Sequence, residues 1–391
     1  MKSITNIVVL GVGAMGKGIA QVCLMAGYHV TLVDIKNEII ENAVAYIEGG
    51  LKKLESKGKL PQGMKTSDIL ENMRRTTNLS DVVKNADFVI EAIIEKLDIK
   101  QKVCREVIDN SPDHCIFASN TSSIRITEIA AGCDRPENVI GMHFFNPAPM
   151  MRLIEIIAGE KSSEKSMDTG VEVGESLPCL RGERYVPRVL RDRPGFIVNR
   201  VLAPHRIYSD YIFDLADEKG IPWEQVDADM SNPEAPMSAL VLADFVGRDV
   251  ALHTAEYYAE ALSPDFKPGK FVRKQVAEGK LGKKTGQGFY DWSKGRPNPD
   301  LSKKADIVNP LIFKAIQANE GCRVLEEGVC KSWKVIDEAI LAGMNFPGPM
   351  KFATENFIQL ATLLEEYSEK LGKSYLKPVE LLKTGKFTDM V

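Results

Sequence analysis

Short, mostly apolar runs alternate with amphipathic stretches through the first third of the chain. Runs of this kind are expected for strands that are buried on both faces of a sheet. They fall at residues 7–10, 29–33, 88–90, 115–117 and 139–141. The alternation predicts an α/β domain over residues 1–190, with a doubly wound parallel sheet of the Rossmann type.

One segment interrupts this rhythm. A long, charged amphipathic stretch at 38–57 is followed by a turn and by a shorter helical pattern from about Ser67. We therefore predict a helical hairpin at about 36–74 that projects from the sheet. Lysines on such a helix usually form a solvated face, and the alternative is that they meet a phosphorylated substrate. The lysines concerned are Lys52, Lys53, Lys57 and Lys59.

The pattern in the second half of the chain is helical. Apolar positions at helical spacing predict helices at 197–215, 223–230 and 239–262. These helices indicate an all-α domain at 191–292. A polar, proline-rich linker follows at 293–299.

Residues 300–391 partly repeat this helical domain, as a second all-α domain. The echoed positions are Gly220, Trp223 and Asp227, matched in the same order by Gly328, Trp333 and Asp337. The copy lacks the complete motif of 194–199, which ends in Asn199, so we expect it to carry no catalytic asparagine. We expect the copy to pack where a partner subunit's domain would otherwise sit, which gives a monomeric pseudo-dimer; a homodimer is the alternative.

Composition and charge exclude several classes of protein. The 391 residues, 44% of them apolar, are enough for two or three domains with sizeable cores. A net charge of −4 lacks the basic surface that binds nucleic acid, and no apolar run approaches the ~20 residues of a membrane span. Seven cysteines without a CxxC pair are typical of reduced thiols, so we expect a cytoplasmic protein. No residues have the spacing of metal ligands, so we expect no metal.

The first predicted strand leads into a glycine-rich turn, which reads Gly11-Val12-Gly13-Ala14-Met15-Gly16 and precedes a helical pattern and a second strand. That order is the dinucleotide-binding fingerprint in its full context. Gly11 allows the tight turn, Gly13 lets the backbone approach a pyrophosphate, and Gly16 lets helix and strand pack closely. The helix N-terminus then offers N–H groups to the phosphates. The alternatives are an ordinary turn of an α/β protein or a site for FAD.

Asp34 ends the second predicted strand, about 20 residues after the first glycine. A carboxylate at this position accepts hydrogen bonds from the ribose hydroxyls and repels a 2′-phosphate. We therefore predict NAD rather than NADP, although Lys36 lies close in sequence and favours NADP to a small extent.

Two residues predict the chemistry. Oxidation of an alcohol by hydride transfer needs a base at the hydroxyl, and neutral imidazole serves this purpose near pH 7. His143 ends an apolar strand at the carboxyl edge, where such sheets bind ligands. Taken alone, it could equally be a satisfied core histidine. Glu155 lies in an apolar, strand-like run, where a carboxylate needs a partner; a surface glutamate on an edge strand is the alternative.

Five motifs stand in an order that resembles the L-3-hydroxyacyl-CoA dehydrogenase family. They are the runs at 91–95, 119–123, 143–147, 193–200 and 282–290. The resemblance covers residues 1 to about 292. It implies reversible NAD-linked oxidation of a (3S)-3-hydroxyacyl-CoA to the 3-ketoacyl-CoA, in fatty-acid or butanoate-type metabolism. Short chains such as 3-hydroxybutyryl-CoA are the expected substrates.

The resemblance also implies roles for individual residues. It makes His143 the base and Glu155 the partner that fixes its tautomer. Ser122 would bind the substrate oxygen, and Asn199 would complete the polar set around the reacting oxygen or the thioester carbonyl. A helix N-cap is the alternative role for Ser122, and Ser123 fits that role about as well.

Contacts with the cofactor and with coenzyme A are implied at further positions. The implied cofactor contacts are Glu95, Lys100, Ser122, Asn146 and Lys284, and the implied coenzyme A contacts are Lys57 and Ser122. An Asn-Pro pair is also an ordinary turn signal, and lysines are usually solvated.

The chain also departs from the family pattern. Pro236-Met237-Ser238-Ala239-Leu240 stands where Pro-Met-Gly-Pro-Phe is common, so we expect a different acyl pocket. The basic segment 179–191 is longer than usual, as expected for an exposed loop, and contact with coenzyme A phosphates is the alternative. Two other functions stay open: a dehydrogenase of a non-CoA hydroxy acid that resembles L-gulonate dehydrogenase, and a non-catalytic NAD-binding protein.

Overall fold

The computed structural model describes residues 4–61, 63–232 and 236–391. The chain divides into two compact units. The first unit is Met1–Asn199 with Glu327–Gly348, and the second unit is Arg200–Glu326 with Pro349–Val391. Residues 300–391 therefore contribute to both units. Within the described ranges, no helix is long and apolar enough to cross a membrane.

A sheet of eight strands forms the centre of the described part of the first unit, in the order β3-β2-β1-β4-β5-β6-β7-β8. The strands are β1 (Asn6–Leu10), β2 (His29–Val33), β3 (Met73–Thr76), β4 (Phe88–Glu91), β5 (Ile116–Ser119), β6 (Val139–Phe144), β7 (Ile154–Ala158) and β8 (Arg188–Val189). Strands β1 to β6 pair in parallel, whereas β7 is antiparallel to β6. The predicted α/β class with a doubly wound sheet is confirmed, and the purely parallel arrangement is corrected at β7.

Helices cover the sheet and form the second unit. They are α1 (Gly16–Met25), α2 (Asn37–Glu55), α3 (Thr66–Glu71), α4 (Leu79–Val83), α5 (Leu97–Asn110), α6 (Ile126–Ile129), α7 (Glu164–Ser176), α8 (Val198–Leu202), α9 (His205–Lys219), α10 (Trp223–Met230), α11 (Ala239–Val246), α12 (Arg248–Ala261), α13 (Lys270–Ala277), α14 (Pro310–Glu326), α15 (Trp333–Met344), α16 (Met350–Leu371) and α17 (Glu380–Thr384).

Two predicted helices are each divided in the structure. The helix expected at 197–215 is broken before α9 at Pro204, which has no N–H to continue the ladder. The helix expected at 239–262 is broken at Gly247, whose φ of 107° is incompatible with a continuous helix. The predicted helix at 223–230 coincides with α10.

The segment at 36–74 contains α2 and α3, but α2 does not project freely. Its apolar face, including Ile40, Ile47 and Leu51, is buried in the core that α1 and the sheet share. The expectation of a projecting hairpin is therefore wrong for α2, because its apolar stripe needs cover. The lysines on its other face are exposed, as expected for a solvated face.

The basic segment 179–191 is not an exposed loop. The guanidinium of Arg184 donates to the backbone carbonyls of Leu177, Ala148 and Pro178 at 2.9–3.1 Å, and also to that of Met151. Arg188 begins strand β8 and pairs with acidic residues of α7. Arg184 and Arg188 hold the segment against the sheet because they find backbone and carboxylate acceptors there.

The internal echo has a structural counterpart. Phe196 and Asp306 both have φ values near 55°, at 55° and 56°, and each is followed by Ile-Val-Asn. Asn309 is thus the counterpart of Asn199 in the copy, and the expectation that the copy has no catalytic asparagine stays a prediction. Its Oδ1 accepts a hydrogen bond from Leu311 N at 3.0 Å, so it begins helix α14. The copy keeps only Ile-Val-Asn, the last three residues of the motif, and so short a run is a weak signal in a sequence.

Candidate active site

The glycine-rich turn joins β1 to α1 in the shape of a dinucleotide cradle. Gly11 has a φ of 83°, and a Cβ there would lie 2.7 Å from the carbonyl oxygen of Ala92. A Cβ at Gly16 would overlap the carbonyl of Gly11, whereas one at Gly13 would meet open space. The turn is therefore tight on its protein side and open where a pyrophosphate would approach. These residues fit NAD, for which the three glycines and the start of α1 would hold the phosphates.

Asp34 closes this cradle at the end of β2. Its carboxylate accepts hydrogen bonds from Val12 N at 2.9 Å and from its neighbour Ile35 N at 2.8 Å. The side chain is half-buried, so part of the carboxylate stays available to a ribose hydroxyl. The bond to Val12 also fixes the carboxylate relative to the glycine-rich turn.

A buried lysine lies between two carboxylates beyond the cradle. Lys100 of α5 is 1% exposed and pairs with Glu91 at 2.7 Å and with Glu95 at 3.1 Å. Burial opposes the charge of Glu95, but the charge of Lys100 and hydrogen bonds from Thr121 and Ser123 together hold its pKa below the ordinary value. Glu95 is therefore ionised at neutral pH.

The serine-rich loop after β5 is organised by Thr121. Its hydroxyl donates to Glu95 and accepts from Ser123 N at 3.3 Å and Ile124 N at 2.9 Å. The N-cap position of α6 is Arg125, so neither Ser122 nor Ser123 caps this helix. Ser122 lines a cavity instead.

His143 and Glu155 form a buried pair on the antiparallel strands β6 and β7. The two residues are directly opposite in the strand register, which places their side chains on one face. Nδ1 of His143 lies 2.8 Å from Oε2 of Glu155. The other carboxylate oxygen accepts from Ile197 N and Val198 N, at 3.1 Å each. Glu155 thus holds the imidazole and the start of α8, which carries Asn199.

Aromatic rings fix the plane of the imidazole. The ring of Phe145 lies 4.6 Å from that of His143, and the ring of Phe196 lies 5.7 Å away. Both phenylalanines are buried. Since Nδ1 is committed to Glu155, Nε2 is the ring nitrogen that remains for a ligand.

One cavity of about 420 Å³ brings together most of the predicted site. Its lining includes Ala14, Met15, Glu95, Lys100, Ser122, His143, Asn146 and Asn199. Glu155 lies directly behind His143. Glu91, Asn120 and Thr121 also contribute to the site by positioning their neighbours, although their roles were not predicted from the sequence. Asn120, for example, accepts from Phe144 N at 2.8 Å.

Two predicted contacts lie elsewhere. Lys57 lines a separate groove of about 570 Å³ together with Lys53 and Lys59. The other side of this groove includes Pro147, the neighbour of Asn146. Lys284 belongs to the second unit, where its ammonium pairs with Asp249 at 2.5 Å; its predicted cofactor contact stays a prediction.

Two further expectations concern local chemistry. All seven cysteines are free, as expected for reduced thiols. Among the described residues, no group of three or more histidine, cysteine or acidic side chains is arranged to hold a metal ion. At the altered segment in the second unit, Ser238 Oγ donates to the buried Asp227 at 2.6 Å, so its hydroxyl has a structural partner.

The doubly wound sheet, the glycine cradle and the buried imidazole–carboxylate pair are the arrangement expected of an NAD-linked dehydrogenase. Comparison with known families agrees. Residues 6–178 match the NAD-binding domain of 3-hydroxyacyl-CoA dehydrogenase, and residues 195–292 match its C-terminal domain. The chain belongs to the 3-hydroxyacyl-CoA dehydrogenase family. The predicted family, NAD cofactor and oxidoreductase class are confirmed.

Individual relatives are similar over different lengths. The 3-hydroxybutyryl-CoA dehydrogenase of Escherichia coli superposes with a TM-score of 0.85 over 99% of both chains, at 26% identity. The (S)-3-hydroxybutyryl-CoA dehydrogenase of Ralstonia eutropha is 35% identical, with a TM-score of 0.67 over 74% of this chain and all of that one. The fatty acid oxidation complex subunit alpha of Psychrobacter cryohalolentis is 35% identical over 97% of this chain. The chain spans about half of that relative, 54% of its length.

Proposed function

We propose that this chain catalyses the reversible, NAD-dependent oxidation of a (3S)-3-hydroxyacyl-CoA to the 3-ketoacyl-CoA. The observation that carries the proposal is the buried His143–Glu155 pair, 2.8 Å apart, at a cavity that Ser122 and Asn199 also line. A protein that only binds NAD has no need of a base held by a buried carboxylate.

The mechanism follows from the hydrogen bonds of His143. With Nδ1–H donating to Glu155, Nε2 carries the lone pair and takes the proton of the substrate hydroxyl. NAD, when bound, supplies the acceptor for the hydride that leaves C3. The alcohol thus loses one hydride and one proton and becomes the ketone. The anionic Glu155 stabilises the imidazolium that this transfer forms.

Ser122 and Asn199 complete the site as polar groups. Both line the same cavity as His143, and they approach it from different elements. A hydroxyl and a carboxamide can donate to an oxygen on which negative charge develops. We assign Ser122 to the reacting oxygen and Asn199 to that oxygen or the thioester carbonyl.

The groove at Lys53, Lys57 and Lys59 is proposed as the site of the coenzyme A moiety. Its lysines are exposed and do not pack in the core, and its apolar lining includes Leu54 and Met150. Lysine ammonium groups bind phosphates, and an apolar surface can pack against the remainder of a long ligand. The groove adjoins the Asn146-Pro147 turn, which leads to the catalytic cavity.

Removing two positive charges from this groove should weaken thioester binding selectively. We expect Lys53→Met/Lys57→Met to raise KM for 3-hydroxybutyryl-CoA about five-fold, because each exposed ion pair contributes up to about 1 kcal/mol. KM for NAD should not change. Steady-state kinetics against Lys52→Met provide the control, since Lys52 lies on the same helix, is 64% exposed and pairs with Glu48.

A truncated substrate tests the assignment of the groove. The N-acetylcysteamine thioester of 3-hydroxybutyrate lacks the phosphates, so its KM should be the same in the double variant and in the wild type. An equal rise in KM for both thioesters would contradict a coenzyme A site at these lysines.

Short acyl chains are proposed as substrates because two similar solved structures are 3-hydroxybutyryl-CoA dehydrogenases. The test is NADH formation with (3S)-3-hydroxyacyl-CoA of graded chain length, in parallel with free hydroxy acids such as L-gulonate. Turnover confined to the free acids would replace this proposal with the non-CoA alternative. The absence of turnover with all of these thioesters and free acids would favour the alternative of a non-catalytic NAD-binding protein.

The tandem helical repeat is proposed to make the chain a monomer with an internal pseudo-dimer. Within the second unit, Tyr375 N donates to Asp265 Oδ2 at 2.7 Å, and these two residues lie 110 positions apart. Asp265 and Tyr375 are each the middle residue of a short 3-10 helix that is followed by a Lys-Pro pair. The two helices are Pro264–Phe266 and Ser374–Leu376. Contact between equivalent positions is what a two-fold interface produces.

The expected molar mass in solution is therefore that of one chain, 43.3 kDa. Light scattering at several concentrations measures it, because a dimer would dissociate on dilution or persist at twice this value. A stable mass of two chains would contradict the internal pseudo-dimer.

A further inference from the structure

Part of the last hundred residues belongs to the catalytic half of the molecule. Residues 327–348, which include α15, lie in the same compact unit as residues 1–199. Val329 O accepts from Leu190 N at 2.8 Å, beside β8, and Ala342 O accepts from Arg152 N at 3.2 Å, before β7. The segment is thus hydrogen-bonded to the backbone just before β7, which carries Glu155, and just after its neighbour β8.

Gly343 of α15 lies against two side chains that neighbour the catalytic pair. A Cβ built on Gly343 would lie 2.8 Å from Cδ2 of Leu153 and 3.4 Å from Cδ1 of Phe145. Phe145 is the ring that contacts His143 at 4.6 Å. Leu153 lies two residues before Glu155, and alternation along the strand places the two side chains on one face.

Gly343 is therefore adjacent to Phe145, which packs against His143, and to Leu153, which lies two residues before Glu155. Leu153 is 0% exposed and Phe145 is 8% exposed, so both side chains lie in the closely packed interior. A Cβ at Gly343 requires Leu153 to shift, because the two atoms would be 2.8 Å apart, and it would be in contact with Phe145 at 3.4 Å.

We propose that α15 is a positioning element of the active site, and that Gly343 is the positioning residue through which it sets the His143–Glu155 geometry by way of Phe145 and Leu153. The inference rests on the proposed function, because it concerns the same base. It gives the internal repeat a role beyond the proposed pseudo-dimer.

The test is Gly343→Ala. Alanine favours a helix over glycine, so the substitution should not unfold α15. We expect kcat of Gly343→Ala to be about ten-fold lower than that of the wild type, because a small displacement of a catalytic group has a large effect on rate. KM for NAD should change less than two-fold in this variant. Leu341→Ala, on the same helix at a position that is 47% exposed, is the matched control and should retain the wild-type kcat.

A second substitution tests the route. Leu153→Val removes the Cδ2 atom that the new methyl would strike. The double variant Gly343→Ala/Leu153→Val should therefore keep at least half of the kcat of Leu153→Val alone. A double variant as impaired as the product of the single variants would overturn coupling through Leu153.

A spectroscopic readout separates this inference from the proposed reaction. The chain has five histidines, so ¹³Cε1-labelled histidine gives a spectrum in which His143 is assigned by its loss in His143→Gln. We expect the His143 resonance to move in Gly343→Ala and not in Leu341→Ala. An unmoved resonance overturns the inference whether or not the wild type oxidises hydroxyacyl-CoA, and a moved resonance with an unchanged kcat overturns it as well. Lack of turnover by the wild type would count against the proposed function alone.

Discussion

His143→Gln is expected to lower kcat for 3-hydroxybutyryl-CoA oxidation by about a thousand-fold, within the range of general-base catalysis. Glutamine has a similar reach but no basic nitrogen, so the substrate hydroxyl has no proton acceptor. The loss corresponds to about 4 kcal/mol of transition-state stabilisation. Affinity for NAD should stay within about two-fold, because the glycine cradle and Asp34 are untouched.

The measurement is NADH formation under saturating substrate, with NAD affinity followed by fluorescence titration. His253→Gln is the matched control, since the side chain of His253 is 86% exposed and lies outside the cavity. Turnover by His143→Gln within ten-fold of the wild type would rule out His143 as the base.

Part of the catalytic pair could be predicted from the sequence on physical grounds, because a carboxylate within the apolar run of β7 needs a partner. That the partner is His143 was implied by the family resemblance. The antiparallel register that places Glu155 opposite His143 could not be predicted, because nothing local distinguishes an antiparallel from a parallel neighbour in such short runs.

The elements that escaped prediction have weak local signals. Strand β3 reads Met-Arg-Arg-Thr and lies at the edge of the sheet, so it lacks the apolar run that marks a buried strand. The break at Pro204 is visible in the sequence, but the helical pattern on either side outweighs it. The roles of Glu91 and Thr121 depend on contacts that only the fold creates, since Lys100 of α5 pairs with Glu91 and Glu95, and Thr121 donates to Glu95.

Glu155→Gln should be about as damaging as loss of the base, although it is nearly isosteric. The carboxylate accepts three hydrogen bonds: one from Nδ1 of His143 and two from the backbone of Ile197 and Val198. An amide has one accepting oxygen and one donating nitrogen. If the oxygen stays with the backbone, the amide N–H₂ faces Nδ1 and forces the proton onto Nε2, which then cannot act as a base. If the amide turns, its N–H₂ meets two N–H donors at the start of α8.

Both orientations disable the site, so we expect kcat to fall between a hundred-fold and ten-thousand-fold, the upper value being that of the analogous tautomer error in a serine protease triad. NAD affinity should change little, because the lining of the cradle does not include Glu155. Glu160→Gln is the control, as the side chain of Glu160 is 70% exposed and pairs only peripherally, with Arg125. ¹⁵N chemical shifts of the His143 ring should show protonation moving from Nδ1 to Nε2. A Glu155→Gln enzyme with an unchanged tautomer and near-normal kcat would mean that the carboxylate serves only to anchor α8, and the base would then act without its partner.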